Sequence, residues 1–250
     1  MEIFMNIGIT ELLLVMLVTF FASYIQSVTG FGFGIFAMIF FPYLLLFTEA
    51  NMLSSMLSVF VSVALLIVMW KKVNWKNTIF PMIGCLVSTF LSVLFIKSQD
   101  GGFLKFLLGI ALLLLSVYFF FFSGKIKIRP TWYAGLIAGT LSGIMGGMFS
   151  MSGPPVVIYF IQSEEDSDRY LATLSAYFVL SGASTIAMKA ASGFATVNVL
   201  VAFLVGFAGM LAGTFVGKLT RSKMKPQMIK KAVYAVMACS GALNIVTYFI

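Results

Sequence analysis

Residues 142–155 read Ser142-Gly143-Ile144-Met145-Gly146-Gly147-Met148-Phe149-Ser150-Met151-Ser152-Gly153-Pro154-Pro155, and residues 24–34 read Tyr24-Ile25-Gln26-Ser27-Val28-Thr29-Gly30-Phe31-Gly32-Phe33-Gly34. Each stretch interrupts a long apolar run. Three glycines in five positions weaken a helix at roughly 1 kcal/mol each relative to alanine. Tandem prolines end one helix and suit the first turn of the next. Both stretches carry hydroxyl or amide side chains beside the opened backbone, and what they mean depends on the solvent that surrounds the chain.

That solvent is lipid. Of the 250 residues, 61% are hydrophobic and only 10% charged, with a mean hydropathy of +1.06. A soluble domain carries about a quarter of its residues as charges. The formal charge of +8 sits in short loops between apolar runs, where lysine and arginine orient helices and meet anionic lipid headgroups; nucleic-acid binding is excluded. Glu2 and Glu11 stand where a signal peptide would be basic, so the first apolar segment is expected to stay in the membrane. Cys85 and Cys239 lie far apart inside apolar runs and read as packing residues.

Enzyme chemistry finds little to work with. Histidine is absent, which removes H-E-x-x-H metal sites and Ser–His dyads. No membrane pair of aspartates exists, and Lys189, the candidate for a Ser–Lys dyad, reads as a helix end beside a loop. Nothing calls for a metal or a cofactor.

About 20 apolar residues span a bilayer. Full-length candidates are 11–28, 52–70, 78–96, 103–122, 132–149, 170–188, 196–217 and 228–249, with Trp70, Trp75, Trp132 and Tyr133 at segment ends as interfacial anchors. Two shorter stretches, 35–47 and 154–162, each follow a Gly-rich break. With an offset near 120 residues the features recur in order: the break at Thr29–Gly34 and that at Ser150–Pro155, Leu53-Ser54-Ser55 and Leu171-Ala172-Thr173, Trp70-Lys71 and Met188-Lys189, Lys97 and Lys218. The repeats are 1–125 and 126–250, within one integral membrane domain.

Loop charges test the topology. If each short stretch is a separate pass or a hairpin arm, loops 71–77, 123–130, 163–169 and 218–231 share one side with 13 Lys/Arg, against three in loops 97–105 and 189–195. If each break only kinks one helix, the split is 7 against 9, with no bias. The positive-inside rule selects the first. Five elements per half is odd, so the halves are inverted, with both termini outside. The expected fold is an all-α polytopic bundle in the cell membrane: eight long helices and two short or re-entrant ones.

Unwound backbone in lipid is tolerated only where protein buries it or it lines a cavity. Half-helices starting near Gly34 and Pro154 would point their positive ends into the protein and form an anion site from N–H groups and hydroxyls, with no buried lysine or arginine. The candidate binding residues are Gln26, Ser27, Thr29, Gly30, Gly32, Gly34, Ser150, Ser152, Gly153, Pro154 and Pro155. Ser54, Ser55, Thr173 and Tyr177 are candidates for lining the same cavity. Glu49, Asn51 and Arg169 read as interfacial. Small residues can also serve only as helix-packing surfaces, but their recurrence at matching positions favours a site. Thr29-Gly30-Phe31-Gly32 is a poor match to a potassium filter, which needs four such loops around an axis.

At these breaks the chain resembles the TauE/SafE sulfite exporter family, also called the 4-toluene sulfonate uptake permease family. Gln26 to Gly34 is similar to that family's first-half glycine motif, and Gly135 to Tyr159, ending Ser152-Gly153-Pro154-Pro155-Val156-Val157-Ile158-Tyr159, to its second-half motif. Ser152 stands where many members have glycine, and Phe31 and Phe33 replace a plainer glycine run. The resemblance implies a permease or exporter of small anions such as sulfite, sulfoacetate or sulfonates, working by alternating access between the repeats. Its partners would be the anionic solute and membrane lipids, with a coupling ion (proton or sodium) and a homodimer both open. A non-transporting membrane scaffold or assembly factor is the alternative.

Overall fold

The computed structural model describes residues 7–122, 128–164, 166–220 and 226–250, the side chains of 226–230 excepted. Parts of two basic loops, 123–127 and 221–225, and Glu165 of the acidic group lie outside the described residues. The described residues form ten helices in two sets of five. The first set is α1 (Ile9–Thr29), α2 (Phe33–Leu44), α3 (Phe47–Met69), α4 (Trp75–Lys97) and α5 (Gly101–Phe121). The second is α6 (Trp132–Phe149), α7 (Gly153–Ser163), α8 (Ser167–Ala191), α9 (Val197–Thr220) and α10 (Pro226–Phe249).

Helices α2 and α7 have 12 and 11 residues, so at 1.5 Å per residue neither reaches across a ~30 Å hydrocarbon core. Seven of the others are long and apolar enough to cross a membrane; α6 is the exception among the long ones, diluted by its glycines. Both short helices fold back on the helix before them. The rings of Phe21 and Phe36 lie 6.5 Å apart, and a Cβ on Gly135 would meet Tyr159 at 3.1 Å. A continuing helix would separate either pair by more than 20 Å. The breaks therefore divide hairpin arms.

Corresponding helices of the two sets run in opposite senses. Along α3 and α8, Asn51 meets Lys189, Val59 meets Gly182 and Lys72 meets Asp168. Along α5 and α10, Phe106 stacks on Tyr248 at 4.7 Å while Ser116 donates to the Tyr234 carbonyl at 2.8 Å. Packing also crosses between the sets: α6 lies along α4 and α9 along α1. Glycine permits both approaches. A Cβ on Gly139 would fall 1.9 Å from the Pro81 carbonyl oxygen, and one on Gly213 would fall 2.0 Å from that of Phe20. Such stripes let membrane helices pack backbone to backbone.

Two ends of the bundle follow. At one, Asn74 and Asn77 donate to the Glu164 carboxylate, which also pairs with Arg169 at 3.2 Å, and Lys72 pairs with Asp168. At the other, Tyr43 donates to Asn244, Lys105 lies 5.5 Å from the Tyr43 ring, and Glu49 accepts from Thr196 at 2.7 Å. Exposed apolar side chains such as Leu17, Val68, Phe90, Leu114, Leu204 and Phe215 cover the outside, as a lipid-facing surface requires.

Candidate functional site

The two breaks meet. Gly34, in the first turn of α2, sits against the backbone of Ser150, and Gly153, at the start of α7, sits against Phe31. Between them and the middles of α3 and α8 lies a cavity of about 50 Å³, room for a few waters at roughly 10–15 Å³ each. Its wall on α3 is Ser55, Ser58 and Ser62; on α8 it is Phe178, Gly182 and Thr185. These positions face each other across the antiparallel α3–α8 seam, so the cavity straddles that seam.

Of the residues singled out from sequence, Gln26, Gly32, Gly34, Ser55, Ser150, Ser152, Gly153 and Pro154 line this cavity. Gln26 closes the first break. Its Oε1 accepts from the Phe33 N–H at 3.3 Å, serving a donor that the start of α2 leaves open, and its Nε2 donates to Ser62 at 3.2 Å. Apart from Gln26, the N-cap residues of α2 and α7, Gly32 and Ser152, make no side-chain cap bond. The prolines of α7 lack N–H groups, so that end offers fewer donors than a helix start ordinarily would.

The others lie elsewhere. Thr29 bonds to the carbonyls of Ile25 and Phe31, and Gly30, at φ 88°, caps α1 in the left-handed conformation that glycine adopts freely. Ser27 packs on Gly217 of α9. Pro155 belongs to the first turn of α7 without facing the cavity. Ser54 is buried with an unpartnered hydroxyl. Thr173 accepts the Asn74 N–H at the Lys72–Asp168 end. Tyr177 donates to Ser142, which in turn donates to the Ser152 carbonyl at 2.6 Å; it supports the second break from behind.

Sequence reading missed the lysine beside this cavity. Lys189, expected at a helix end beside a loop, is fully buried. Its ammonium donates to Asn51 Oδ1 and Ser55 Oγ, both at 2.7 Å, to Ser150 Oγ at 3.1 Å and to the Gly146 carbonyl at 3.3 Å. Asn51 is equally buried, not interfacial. Its amide donates to the Gly147 and Met148 carbonyls at 3.1 and 2.8 Å. Glu49 is buried too, whereas Arg169 stays half-exposed. The end of α6, where unpaired carbonyls gather and cations are favoured, is thus held by an amide and an ammonium. The two bridging hydroxyls, Ser55 and Ser150, also line the cavity. Ser150 alone among described non-glycine residues has positive φ, at 57°, a conformation that costs free energy and persists where surrounding contacts enforce it.

The family model for sulfite exporter TauE/SafE matches residues 15–243. A curated relative, named as a probable sulfite/organosulfonate exporter TauE from Cupriavidus necator, is 23% identical over 230 residues, covering 88% of each chain. No solved structure matches.

Proposed function

From the premise that the chain belongs to the sulfite exporter TauE/SafE family, whose members are membrane transporters and not enzymes, we propose that it carries small sulfur-containing or organic anions such as sulfite, sulfoacetate or sulfonates. The observation that carries this reading is the cavity where the two breaks meet. Opened backbone and six serines or threonines converge on it: Ser55, Ser58, Ser62, Ser150, Ser152 and Thr185. Serine and threonine hydroxyls offer an anion hydrogen-bond donors without a permanent ion pair that would hold it too tightly to release. Paired, interrupted helices of inverted repeats are where transporter sites form.

Transport would proceed by alternating access. The repeats 1–125 and 126–250 shift against each other along the α3–α8 seam, opening first one polar end and then the other. That the Cupriavidus necator relative is named as an exporter supports an outward direction. A compact oxyanion fits the cavity better than an aromatic sulfonate, given its volume.

Flux into proteoliposomes tests the proposal. Wild-type protein is expected to move labelled sulfite or sulfoacetate, and Gly153→Leu, which fills the cavity from α7, to abolish it while the protein remains folded. Imposed proton and sodium gradients then identify the coupling ion. Absence of flux for every small anion by folded protein overturns the reading and leaves the scaffold alternative.

A further inference from the structure

Lys189 brings an amine into the bundle beside the cavity, and every partner it has is neutral: one amide, two hydroxyls and backbone carbonyls. No carboxylate pairs with it among the described residues. Glu49 is occupied by Thr196 and Asn198, and Glu164 by Arg169 and two asparagines at the far end of the bundle. Protonated, such an amine is costly to bury without an opposite charge, and an anion in the open volume one hydroxyl away would supply that charge. We infer that Lys189 sets the charge selectivity of the cavity, acting through Ser55 and Ser150 so that the site takes a compact oxyanion and rejects an uncharged molecule of the same shape. This rests on the cavity being the substrate site.

The chemistry follows from the inventory of each group. A serine hydroxyl has one O–H and two lone pairs. When Ser55 and Ser150 accept from the ammonium, a lone pair of each faces Lys189, and the O–H is directed away from it. A hydroxyl that accepts from a cation is a stronger donor to the next acceptor in the chain. An oxyanion in the cavity can therefore take these O–H groups in place of the Asn51 backbone carbonyl, which accepts both in the structure. The ammonium itself need not move: Asn51 and Gly146 keep it in position from behind. Lys189 is a positioning and field-setting residue, not one that touches the solute.

The alternative is that Lys189 only ties the end of α6 to α3. Methanesulfonate and methanesulfonamide, nearly identical in shape and different in charge, separate the two. Binding to full-length purified protein is read by calorimetry, with thermal unfolding recorded in parallel. Wild type is expected to prefer the sulfonate by roughly tenfold or more, as a buried charge contact would give. Lys189→Met should erase that preference, and Lys189→Arg should retain most of it. Because Lys189→Met leaves the Asn51 amide oxygen without its donor, the double variant Asn51→Leu/Lys189→Met is made as well; removing the whole buried polar pair is better tolerated than removing half of it. A wild-type preference in either charge-free variant overturns the inference while leaving the anion site intact. Failure of the wild type to bind methanesulfonate, sulfite or sulfoacetate overturns the site itself.

Discussion

Gly34 and Ser150 are in backbone contact across the two breaks: a Cβ on Gly34 would fall 1.8 Å from the Ser150 carbonyl oxygen. Backbone on both sides leaves no flexible side chain to give way. Gly34→Ala is therefore expected to separate the breaks, costing about 1–3 kcal/mol of stability by overpacking and most of the transport rate. Gly153→Ala is the contrast. Its Cβ would find ordinary contacts, the nearest at 3.5 Å on Phe31, so stability should hold. Thermal unfolding and anion flux of the two variants, measured side by side, check this.

Ser150 shows function set against backbone preference. Ser150→Gly removes the cost of positive φ, about 1 kcal/mol, and loses hydroxyl bonds of similar net worth. The unfolding midpoint should change little. Anion affinity should fall roughly tenfold, because a hydrogen bond to a charged group contributes about 1.5–3 kcal/mol. A midpoint that collapses would mean the hydroxyl serves the fold, not the solute.

These two residues also mark how far sequence carried. The breaks were legible because glycine and proline act locally: Gly30, Gly32 and Pro154 end or start helices wherever they stand. Loop charge, a side-of-membrane signal, favoured an inverted arrangement, and α3 and α8 run in opposite senses. The pairing of hairpin arms, α2 back on α1 and α7 on α6, gave no local sign. Neither did the burial of Lys189. Followed by Ala190-Ala191-Ser192-Gly193, it has the look of an interfacial lysine, and only the approach of α3 and the end of α6 covers it. Asn51 was misread for the same reason. A weak signal did exist: a lysine and an asparagine at opposite ends of helices that the repeat makes equivalent, with Ser54-Ser55 one turn beyond.

Gln26 faces the cavity from the first break, and Gln26→Glu keeps its volume while placing a carboxylate there. The Phe33 N–H keeps an acceptor, whereas the bond to Ser62 loses its donor. Like charges about 4 Å apart repel by roughly 1–4 kcal/mol between bulk-water and protein-surface dielectric. Anion binding should weaken tenfold or more, with binding of an uncharged isostere spared. Titration calorimetry with both ligands decides; equal losses would point to a collapsed break instead of repulsion.

The contact of α9 with α1 should also be sensitive to bulk. A Cβ on Gly213 would lie 2.0 Å from the Phe20 carbonyl oxygen and 2.3 Å from Ser23 Oγ. Gly213→Val must push the helices apart, and a loss of about 3 kcal/mol or more is expected, beyond the usual range for one added methylene. Exposed Gly193 meets nothing within 4 Å but has φ 89°, so Gly193→Ala should cost only the local strain, about 1–2 kcal/mol. Unfolding curves in one detergent rank the two, and a larger loss at Gly193 would contradict the close packing of α9 on α1.

The two ends of the bundle predict labelling from opposite sides of the membrane. Cys85 and Cys239 are first replaced by serine or alanine; Cys85 is buried and Cys239 exposed, so the second is the one that would otherwise react. Lys76→Cys and Ser167→Cys then report the end with Asn74, Asn77 and Glu164, and Ser98→Cys and Ala195→Cys report the end with Glu49 and Thr196. All four positions lie on exposed surface. The first end carries the lysine-rich loops, so by the positive-inside rule it faces the cytoplasm. An impermeant thiol reagent should label Ser98→Cys and Ala195→Cys in intact cells, and the other pair only after permeabilisation. Because Lys76 lies in the first turn of α4 and Ser98 follows its end, while Ser167 begins α8 and Ala195 follows its end, the pattern reads orientation in both halves of the chain. Labelling of Ser98→Cys and Ser167→Cys from the same side would require the halves to run in parallel, and would remove the symmetry on which a shared central cavity depends.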